Sequence, residues 1–499
     1  MSFASLSALA LYFLTMLGIG LYDSRRNGAS NSAYLLGGRQ LGPTVTALSA
    51  GASDMSAWLL MGLPGAVVVS GISSIWIAIG LLIGAWFNYL LLAPRLRLYT
   101  ELCNDALTLP DYLARRFAEP RPLLRLTASL VIVVFFTLYT SSGLVAGGVL
   151  FENSFGLPYQ LGLWLTFGVV VCYTMLGGFQ AVCHTDVVQG CLMLAALLLV
   201  PLVAWLQLED SDGISTILLE TNPTYFNWFE GIGALAVLSS LAWGLGYFGQ
   251  PHIVVRFMAI DSLRELGAAR RIGMSWMILT LLGAVLTGMV GLAWMRLQGR
   301  PLDDPETIFL MLTQLLFNPF IGGVLLAAIL AAIMSTVSSQ LLVASSSLSE
   351  DFYRVFFNRE AGEKEAVRVS RLAVALVGLV AVLLALDPRN SILGLVANAW
   401  AGFGAAFGPV LLASLYWPRM NWQGALAGMI GGAGVVILWI SLPLGPDGSS
   451  LSNVLYEIIP GVCVSTLLIV VVSLMTGGAA DPVREGFAHY EQRLQRENF

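Results

Sequence analysis

The chain has 499 residues, of which 57% are hydrophobic and only 11% are charged, and its formal net charge is −5. An ordinary soluble domain carries about 25% charged residues, so this composition excludes a soluble globular protein and indicates a membrane-embedded one. The five cysteines lack metal-ligand spacing and are expected to be small apolar residues, not a metal site.

Apolar runs recur along the whole chain. Runs of about 20 apolar residues are long enough to cross a bilayer as helices. A membrane β-barrel would instead show alternating segments of about ten residues, and the sequence has none. We therefore predict an all-α membrane protein with thirteen transmembrane helices. Their centres lie near residues 12, 55, 85, 137, 168, 195, 238, 284, 333, 376, 403, 432 and 466.

The basic residues give the predicted orientation. An N-terminus outside the cell puts 22 of the 25 Lys and Arg residues in cytoplasmic segments and leaves Arg296, Arg300 and Arg389 outside. Cytoplasmic loops are enriched in Lys and Arg, so this split favours an odd number of spans. Arg25 and Arg26 follow the first span. Because a secretory signal peptide has the opposite charge order, the first span is expected to stay as an anchor.

The second predicted span contains a carboxylate. The stretch ALSAGASDMSAWLLMGLPGA runs from Ala47 to Ala66 and includes Asp54. A charged side chain at the centre of a membrane helix costs about 2.5–3.5 kcal/mol on insertion scales, so such residues usually serve a function. The small, polar segment SAGASDMSA predicts that the helix is broken there. Asp54 could interact with a cation at this break or cap the half-helix that follows, and the two roles are compatible.

The seventh predicted span is interrupted in a corresponding way. It contains WGLGYFGQP, with three glycines and a proline. Five spans counted from each break give two blocks, spans 2–6 and spans 7–11, which enter the membrane from opposite sides. Paired broken helices in two inverted halves indicate a transporter with its site near the bilayer midplane. The glycines also spell GxGxxG, but a dinucleotide site would need a preceding strand, so we interpret them as helix breakers.

The ninth predicted span carries two hydroxyls on one helix face. Ala332, Ser335 and Thr336 are spaced i, i+3 and i+4 in the motif AAIMST. Oxygen ligands suit a hard cation such as Na⁺. Hydroxyls in a membrane helix more often bond back to the preceding turn, and the residues alone favour that interpretation.

Longer motifs resemble the sodium:solute symporter family over nearly the whole chain. They are the stretch from Ala47 to Ala66, LLGGRQLG, ALTLPDYLARRF, WGLGYFGQPHIVVRFMA, LAAIMSTVSSQLLV and NAWAGFGAAFGPV. The resemblance implies a leucine-transporter-type fold, a five-plus-five inverted repeat with one extra N-terminal helix and two extra C-terminal helices. It also implies the bacterial cytoplasmic (inner) membrane, with the N-terminus outside and the C-terminus in the cytoplasm.

The expected organisation follows the spans. It comprises the first span with a cytoplasmic loop (1–40), inverted repeat 1 with spans 2–6 (41–206), an outside loop (207–226), inverted repeat 2 with spans 7–11 (227–418), spans 12–13 (419–477) and a cytoplasmic tail (478–499). A further outside segment, DDPETIFLMLTQLLFNP, is predicted to form a short helix over an entrance.

The resemblance implies secondary active transport, in which inward Na⁺ movement drives uptake of L-proline by alternating access. Na⁺ is then a transported coupling ion, proline is the small-molecule partner, and no organic cofactor or nucleic acid is expected. The alternative is a Na⁺-coupled symporter of another small organic solute.

The resemblance also assigns roles to particular residues. For Na⁺ it implies the carbonyls of Ala52, Met55 and Ala332 and the hydroxyls of Ser335 and Thr336. The residues expected to couple ion to substrate are Asp54 and Ser56. The expected substrate-binding residues are Trp58, Tyr139, Trp243, Tyr247 and Pro251, and the aromatic faces of the first four suit the ring and the ammonium group of proline. The candidate gate residues are Arg39 and Asp186. Ala57 departs from the family pattern, which has glycine there in close relatives.

Two other classes of protein fit the sequence less well. An intramembrane hydrolase has its best case in His184 and Asp186, which we predict to be a solvated pair in a short cytoplasmic loop. A zinc site would need more ligands, and no HExxH motif is present. A channel would show a continuous polar stripe, whereas the polar residues concentrate at two broken helices and one face of the ninth span.

Overall fold

The computed structural model describes residues 3–26, 30–208, 211–229, 233–386, 392–445 and 448–497. Within these ranges the chain is helical and forms no β-strand, apart from an isolated parallel bridge between Leu41 and Ile260. Ten helices of the described part are long and apolar enough to cross a membrane. The predicted all-α membrane class is therefore confirmed. Arg389 and residues 209–210 of the predicted outside loop lie outside the described residues.

The first nine helices cover the N-terminal part of the chain. They are α1 (Phe3–Arg26), α2 (Asn31–Leu36), α3 (Pro43–Asp54), α4 (Leu63–Ser70), α5 (Ile75–Phe87), α6 (Ala93–Leu102), α7 (Leu109–Arg116), α8 (Leu123–Phe155) and α9 (Tyr159–Leu206). The remaining twelve are α10 (Ser211–Thr221), α11 (Ala234–Leu241), α12 (Pro251–Ala259), α13 (Leu266–Leu297), α14 (Ile308–Leu316), α15 (Pro319–Ser346), α16 (Arg354–Phe356), α17 (Glu363–Leu384), α18 (Ile392–Tyr416), α19 (Trp422–Ser441), α20 (Ile458–Met475) and α21 (Asp481–Arg496).

Both helix interruptions expected from the sequence are present. The helix α3 ends at Asp54, the backbone of Met55 departs from helical geometry (φ −78°, ψ 24°), and a π-helical segment, Trp58–Gly62, follows. In the second broken segment, a 3₁₀ stretch from Ala242 to Gly249 separates α11 from α12. We call this stretch the 242–249 segment. Glycine and proline disfavour a continuous α-helix, which explains why the chain unwinds at these places.

The helix α9 differs from the prediction of a loop around residue 184. It runs for 48 residues and bends upstream, at Gly178, whose φ of 62° is disfavoured for a residue with a side chain. A Cβ at Gly178 would also lie 2.8 Å from the carbonyl oxygen of Tyr34. The prediction of a solvated His184–Asp186 pair is wrong, because Asp186 is fully buried and His184 pairs with Asp23 at 2.8 Å.

Two helices support the broken segments. The helix α15 is largely buried at the centre of the bundle and contacts α1, α3, α8, α9 and α17. The helix α18 packs against the 242–249 segment, α8, α19 and α20. The helices α15 and α18 are therefore among the neighbours that hold the broken segments, which lack a continuous helical ladder of their own.

Candidate functional site

Oxygen atoms of α3 and α15 converge beside the first break. The Oγ of Ser335 lies 2.8 Å from the carbonyl oxygen of Ala52 and 3.1 Å from that of Ala332. The Oγ1 of Thr336 lies 3.2 Å from the carbonyl oxygen of Ala332. The hydroxyls do bond back within their own helix, but Ser335 also reaches across to α3. Met55, the fifth residue expected at this site, forms the break itself.

This cluster has the chemistry of a site for a hard cation. Thr336 is 2% exposed and Ala52, Ala332 and Ser335 are fully buried. The side-chain and backbone groups that converge here offer neutral oxygen atoms, which suit Na⁺ better than a soft metal ion. Because the oxygens come from two different helices, a cation bound to them would hold α3 and α15 together.

Asp54 joins the two broken segments directly. Its side chain is 2% exposed, and one carboxylate oxygen accepts a hydrogen bond from the hydroxyl of Tyr247 in the 242–249 segment. Its other oxygen has no hydrogen-bond partner among the described residues. Asp54 makes no hydrogen bond to a backbone amide of the half-helix that follows, so within the described chain its partner is tertiary and not a local cap.

Aromatic rings from both broken segments lie side by side. The rings of Trp58 and Trp243 are 6.3 Å apart, and Trp243 stacks on Tyr456 with a centroid distance of 5.3 Å. Tyr247 meets the ring of Trp400 edge-on at 5.2 Å. The structure thus brings together Trp58, Trp243 and Tyr247, which the sequence analysis singled out.

The remaining predicted residues border the same region. Tyr139 on α8 is buried beside Ser56, and neither hydroxyl has a hydrogen bond of normal geometry to a described group. Pro251 is buried at the first position of α12, where its missing N–H costs nothing. The ring of Tyr139 lies 6.3 Å from that of His252, the next residue of α12. Unsatisfied hydroxyls in a buried site are available to a polar ligand.

A cavity of about 830 Å³ reaches the stacked rings of Trp243 and Tyr456. We call it the vestibule. Its lining residues include Gly65, Trp243, Glu306, Asn398 and Tyr456. The segment expected to form a short helix over an entrance contributes Asp304, Pro305 and Glu306 to the wall, just before α14.

A buried ion pair lies near the oxygen cluster. Arg256 on α12 lies 3.2 Å from Asp186 on α9, and it donates to the Oγ of Ser49 on α3 at 3.0 Å and to the hydroxyl of Ser339 on α15. Ser49 also donates to Asp186 at 2.6 Å. Ser49 precedes Ala52 by three residues, and Ser339 follows Ser335 by four. The ion pair therefore bridges the two helices of the oxygen cluster about one turn away from it.

Arg39, the other candidate gate residue, lies elsewhere. It pairs with Asp105 at 3.5 Å and donates to the carbonyls of Met258 and Ala106 at 2.9 and 3.0 Å. Burial, and secondarily the charge of Arg97, lower the pKa of Arg39 to about 10, so it stays protonated at neutral pH. The structure does not pair Arg39 with Asp186.

Sequence reasoning missed several residues of this region. Tyr456 comes from just before α20 and Trp400 from α18, and neither stands out from the many aromatic residues of a membrane protein. Arg256 is one of the 22 basic residues predicted to lie in cytoplasmic segments, and its side chain is fully buried. Its position at the end of an apolar run, PHIVVRFMA, was the available signal, since a buried charge in a membrane helix needs a partner.

Comparisons with known proteins agree over nearly the full length of the chain. The sequence model of the Sodium:solute symporter family matches residues 34–432. The chain is 53% identical over 481 residues to the high-affinity proline transporter PutP of Bacillus subtilis (strain 168), covering 96% of this chain and 100% of that protein. It is 52% identical over 496 residues to the osmoregulated proline transporter OpuE of the same organism, covering 99% and 100%. It is 50% identical over 473 residues to a sodium/proline symporter of Staphylococcus aureus (strain JH9), covering 94% and 92%.

Solved structures share the fold. A Na⁺-coupled sialic acid symporter in a substrate-bound outward-open state aligns with a TM-score of 0.80 at 19% identity, over 96% of this chain and 99% of that chain. The nucleobase-cation-symport-1 family transporter Mhp1, in a closed conformation, aligns with a TM-score of 0.54 at 16% identity, over 92% and 99%. At these identities the likeness establishes the architecture alone.

Proposed function

Because the chain belongs to the sodium:solute symporter family, we propose that it couples inward movement of Na⁺ to uptake of L-proline by alternating access. One observation carries this proposal: Asp54 bonds to Tyr247 across the two broken segments, two residues after Ala52, whose carbonyl oxygen faces Ser335 on α15. An ion at the oxygen cluster and a solute against the aromatic rings would therefore share one structural element. The names of the similar proteins from Bacillus subtilis and Staphylococcus aureus support proline as the solute.

In this proposal the Na⁺ ligands are Ala52, Met55, Ala332, Ser335 and Thr336. Two of them are side-chain hydroxyls that substitution can remove. The other three are backbone carbonyls whose positions depend on the break after Asp54 and on the straightness of α15. Binding of the cation replaces hydroxyl-to-carbonyl hydrogen bonds by ion–oxygen contacts, which is why the same atoms can be satisfied with and without the ion.

Substitutions at the two hydroxyls test this ligand set. We expect Ser335→Ala and Thr336→Ala each to raise the Na⁺ concentration needed for half-maximal proline binding by about tenfold or more, since a bond to a charged group contributes about 1.5–3 kcal/mol. Proline affinity at saturating Na⁺ should change less. Ser345→Ala is the matched control, because Ser345 lies on the same helix and its buried hydroxyl bonds only back to Leu342 at 2.8 Å. Equal Na⁺ requirements in all three variants would contradict the assignment.

For the substrate, the proposed walls are Trp58, Tyr139, Trp243, Tyr247 and Pro251. Aromatic faces accommodate the apolar ring and the secondary ammonium group of proline. The amides at the start of a half-helix suit its carboxylate. Trp243 and Tyr456 both line the vestibule and stack on each other, so proline would approach the proposed walls past this pair of rings.

Uptake into proteoliposomes tests the function itself. Purified protein should accumulate labelled proline when an inward Na⁺ gradient is imposed, and the rate should saturate with proline. Unlabelled proline should compete better than other amino acids or pantothenate. Accumulation of a different solute would support the alternative of a symporter for another small organic solute. Non-saturating, Na⁺-independent flux would instead indicate a channel.

We further propose thirteen crossings arranged as the inverted repeats 41–206 and 227–418. The ten long helices account for twelve of the thirteen crossings, and the broken pair α11 and α12 accounts for the other. The apolar stretch Trp58–Leu102 and the 48-residue α9 would each account for two crossings, because a span needs only about 20 residues. The broken pair α11 and α12 would supply the last one, with α1 before the repeats and α19 and α20 after them. Arg39 and Asp186 are then candidate gates at the cytoplasmic end.

Labelling of single cysteines tests the proposed orientation. In a cysteine-free background, cysteines at positions 211 and 449 should react with a membrane-impermeant reagent from outside the cell. Cysteines at positions 26 and 359 should react only after the cytoplasmic face is exposed, because Lys and Arg accumulate on that face. If cysteines added at the two ends of the chain react from the same side, the odd number of crossings is wrong.

A further inference from the structure

Trp400 on α18 contacts the 242–249 segment through its side chain and Gln250, the next residue, through its backbone. Its indole Nε1 donates a 2.8 Å hydrogen bond to the carbonyl oxygen of Trp243, and its ring meets that of Tyr247 edge-on at 5.2 Å. Its own carbonyl accepts a 3.1 Å hydrogen bond from the Nε2 of Gln250. Trp400 is 2% exposed. The side chain of Trp400 thus contacts the 242–249 segment at both proposed substrate walls, Trp243 and Tyr247. The backbone of Trp400 also bonds to Gln250, the residue just after the segment.

The backbone of the segment rests directly on the indole ring. A Cβ at Gly246 would lie 1.9 Å from the Nε1 of Trp400 and 2.4 Å from its Cε2, so no side chain fits there. Farther along, a Cβ at Gly249 would lie 2.3 Å from the carbonyl oxygen of Phe403 on α18. The backbone of the 242–249 segment therefore packs directly against α18, and the indole of Trp400 lies between them.

We propose that Trp400 is a positioning residue for the substrate site: it sets the places of Trp243 and Tyr247 without itself forming a wall. An α-helix fixes its side chains through its own hydrogen-bond ladder, but the 3₁₀ stretch has poorer hydrogen-bond geometry and must be held from outside. The indole bonds to the first wall residue, lies against the second and fills the space over Gly246 between them. This inference rests on the proposed function, because it takes these two rings as the substrate walls.

A consequence is that α18 and the 242–249 segment move together. Separating them would leave the carbonyl of Trp243 and the indole N–H unpaired in a buried region, which is unfavourable. Tyr247 also bonds to Asp54. Any displacement of α18 is therefore transmitted to the residue that lies between the Na⁺ ligands Ala52 and Met55.

Equilibrium binding of labelled proline at saturating Na⁺ tests the inference. Trp400→Phe keeps an aromatic ring and removes the N–H, and it should raise the dissociation constant for proline about three- to tenfold, as expected for one net hydrogen bond. The Na⁺ concentration that gives half-maximal Na⁺ binding, measured at saturating proline, should stay within about twofold of the wild-type value. The matched control is Trp439→Phe on α19, which loses an equivalent 2.9 Å bond from Nε1 to the carbonyl of Leu455. If both variants behave alike, Trp400 has only a structural role.

A double-mutant cycle supplies a second criterion. Gly246→Ala should weaken proline binding because its methyl group meets the indole. Phenylalanine would still place a ring carbon near the position of Nε1, whereas alanine removes the ring, so Gly246→Ala combined with Trp400→Ala should lose less proline affinity than the sum of the two single losses. Additive losses would overturn the inference.

Hydrogen exchange separates this inference from the proposed function. Amides of residues 242–250 should exchange faster in Trp400→Phe than in the wild type or in Trp439→Phe, with no ligand present. Wild-type protein that fails to bind proline in the presence of Na⁺ would overturn the proposed function, and exchange would still decide whether Trp400 positions the segment. Unchanged exchange together with normal wild-type binding would overturn the inference alone.

Discussion

Asp54→Asn is expected to abolish Na⁺-driven proline uptake while the protein remains folded in the membrane. Asparagine preserves the shape of the side chain and can still accept the hydrogen bond from Tyr247, so the contact between the two broken segments can persist. The substitution removes the negative charge between Ala52 and Met55, where the cation is proposed to bind. The loss of uptake should therefore come from the missing charge and not from a lost contact between the two broken segments.

The measurement is equilibrium binding of labelled proline across a Na⁺ series. If Na⁺ and proline favour one state, each must strengthen binding of the other by the same factor, typically about 5–150-fold for a coupling of about 1–3 kcal/mol. Wild-type protein should show this factor, and Asp54→Asn should lose most of it. Proline binding that is indifferent to Na⁺ in the wild type would contradict the symport mechanism.

Tyr247→Phe is the control that separates charge from contact. It removes the hydroxyl that bonds to Asp54 and keeps the aromatic ring against Trp400. It should weaken proline binding modestly and preserve its dependence on Na⁺. If Tyr247→Phe reproduces the full defect of Asp54→Asn, Asp54 serves to hold Tyr247 and not to attract the ion.

Breaking the buried pair of Arg256 and Asp186 is expected to cause the largest loss of stability. Arg256→Met would leave the fully buried carboxylate of Asp186 with Ser49 as its hydrogen-bond donor, and Asp186→Asn would leave the guanidinium uncompensated. Removing one partner of a buried ion pair costs about 3–5 kcal/mol. Each single variant should therefore unfold at a clearly lower temperature in detergent than the wild type.

Combining the two substitutions checks that the loss comes from the pair. Arg256→Met together with Asp186→Asn removes both charges, so the double variant should be more stable than the sum of the single losses predicts, by about 0.5–3 kcal/mol. Strictly additive losses would mean that each residue acts through its other partners, namely Ser49, Ser339 and the carbonyl of His252.

Much of the architecture was predictable because it depends on local properties of the chain. The length and hydropathy of the apolar runs predicted an all-α membrane protein, since only helices or closed barrels satisfy the backbone in lipid. Gly, Ser and Pro predicted both broken segments, because these residues weaken a helix wherever it lies. The motif resemblance added the family, and with it a set of expected site residues.

The loop around residue 184 shows where local reasoning failed. The polar residues of CHTD suggested a turn, but the chain turns at Gly178 instead, where the backbone needs φ of 62° and lies against Tyr34. Polarity predicts exposure only when no buried partner exists. Asp186 has such a partner in Arg256, which lies 70 residues away.

The sequence by itself therefore determined the membrane-helical class, the positions of both breaks and the helix face that carries Ser335 and Thr336. Only the tertiary structure decided which groups meet: Asp54 with Tyr247, 193 residues apart, and Ser335 with Ala52, 283 residues apart. Hydropathy and helix propensity act over a few neighbouring residues, so a sequence pattern can reveal them. A contact between distant segments depends on how all the helices pack at once, and that information is held by no single stretch of the chain.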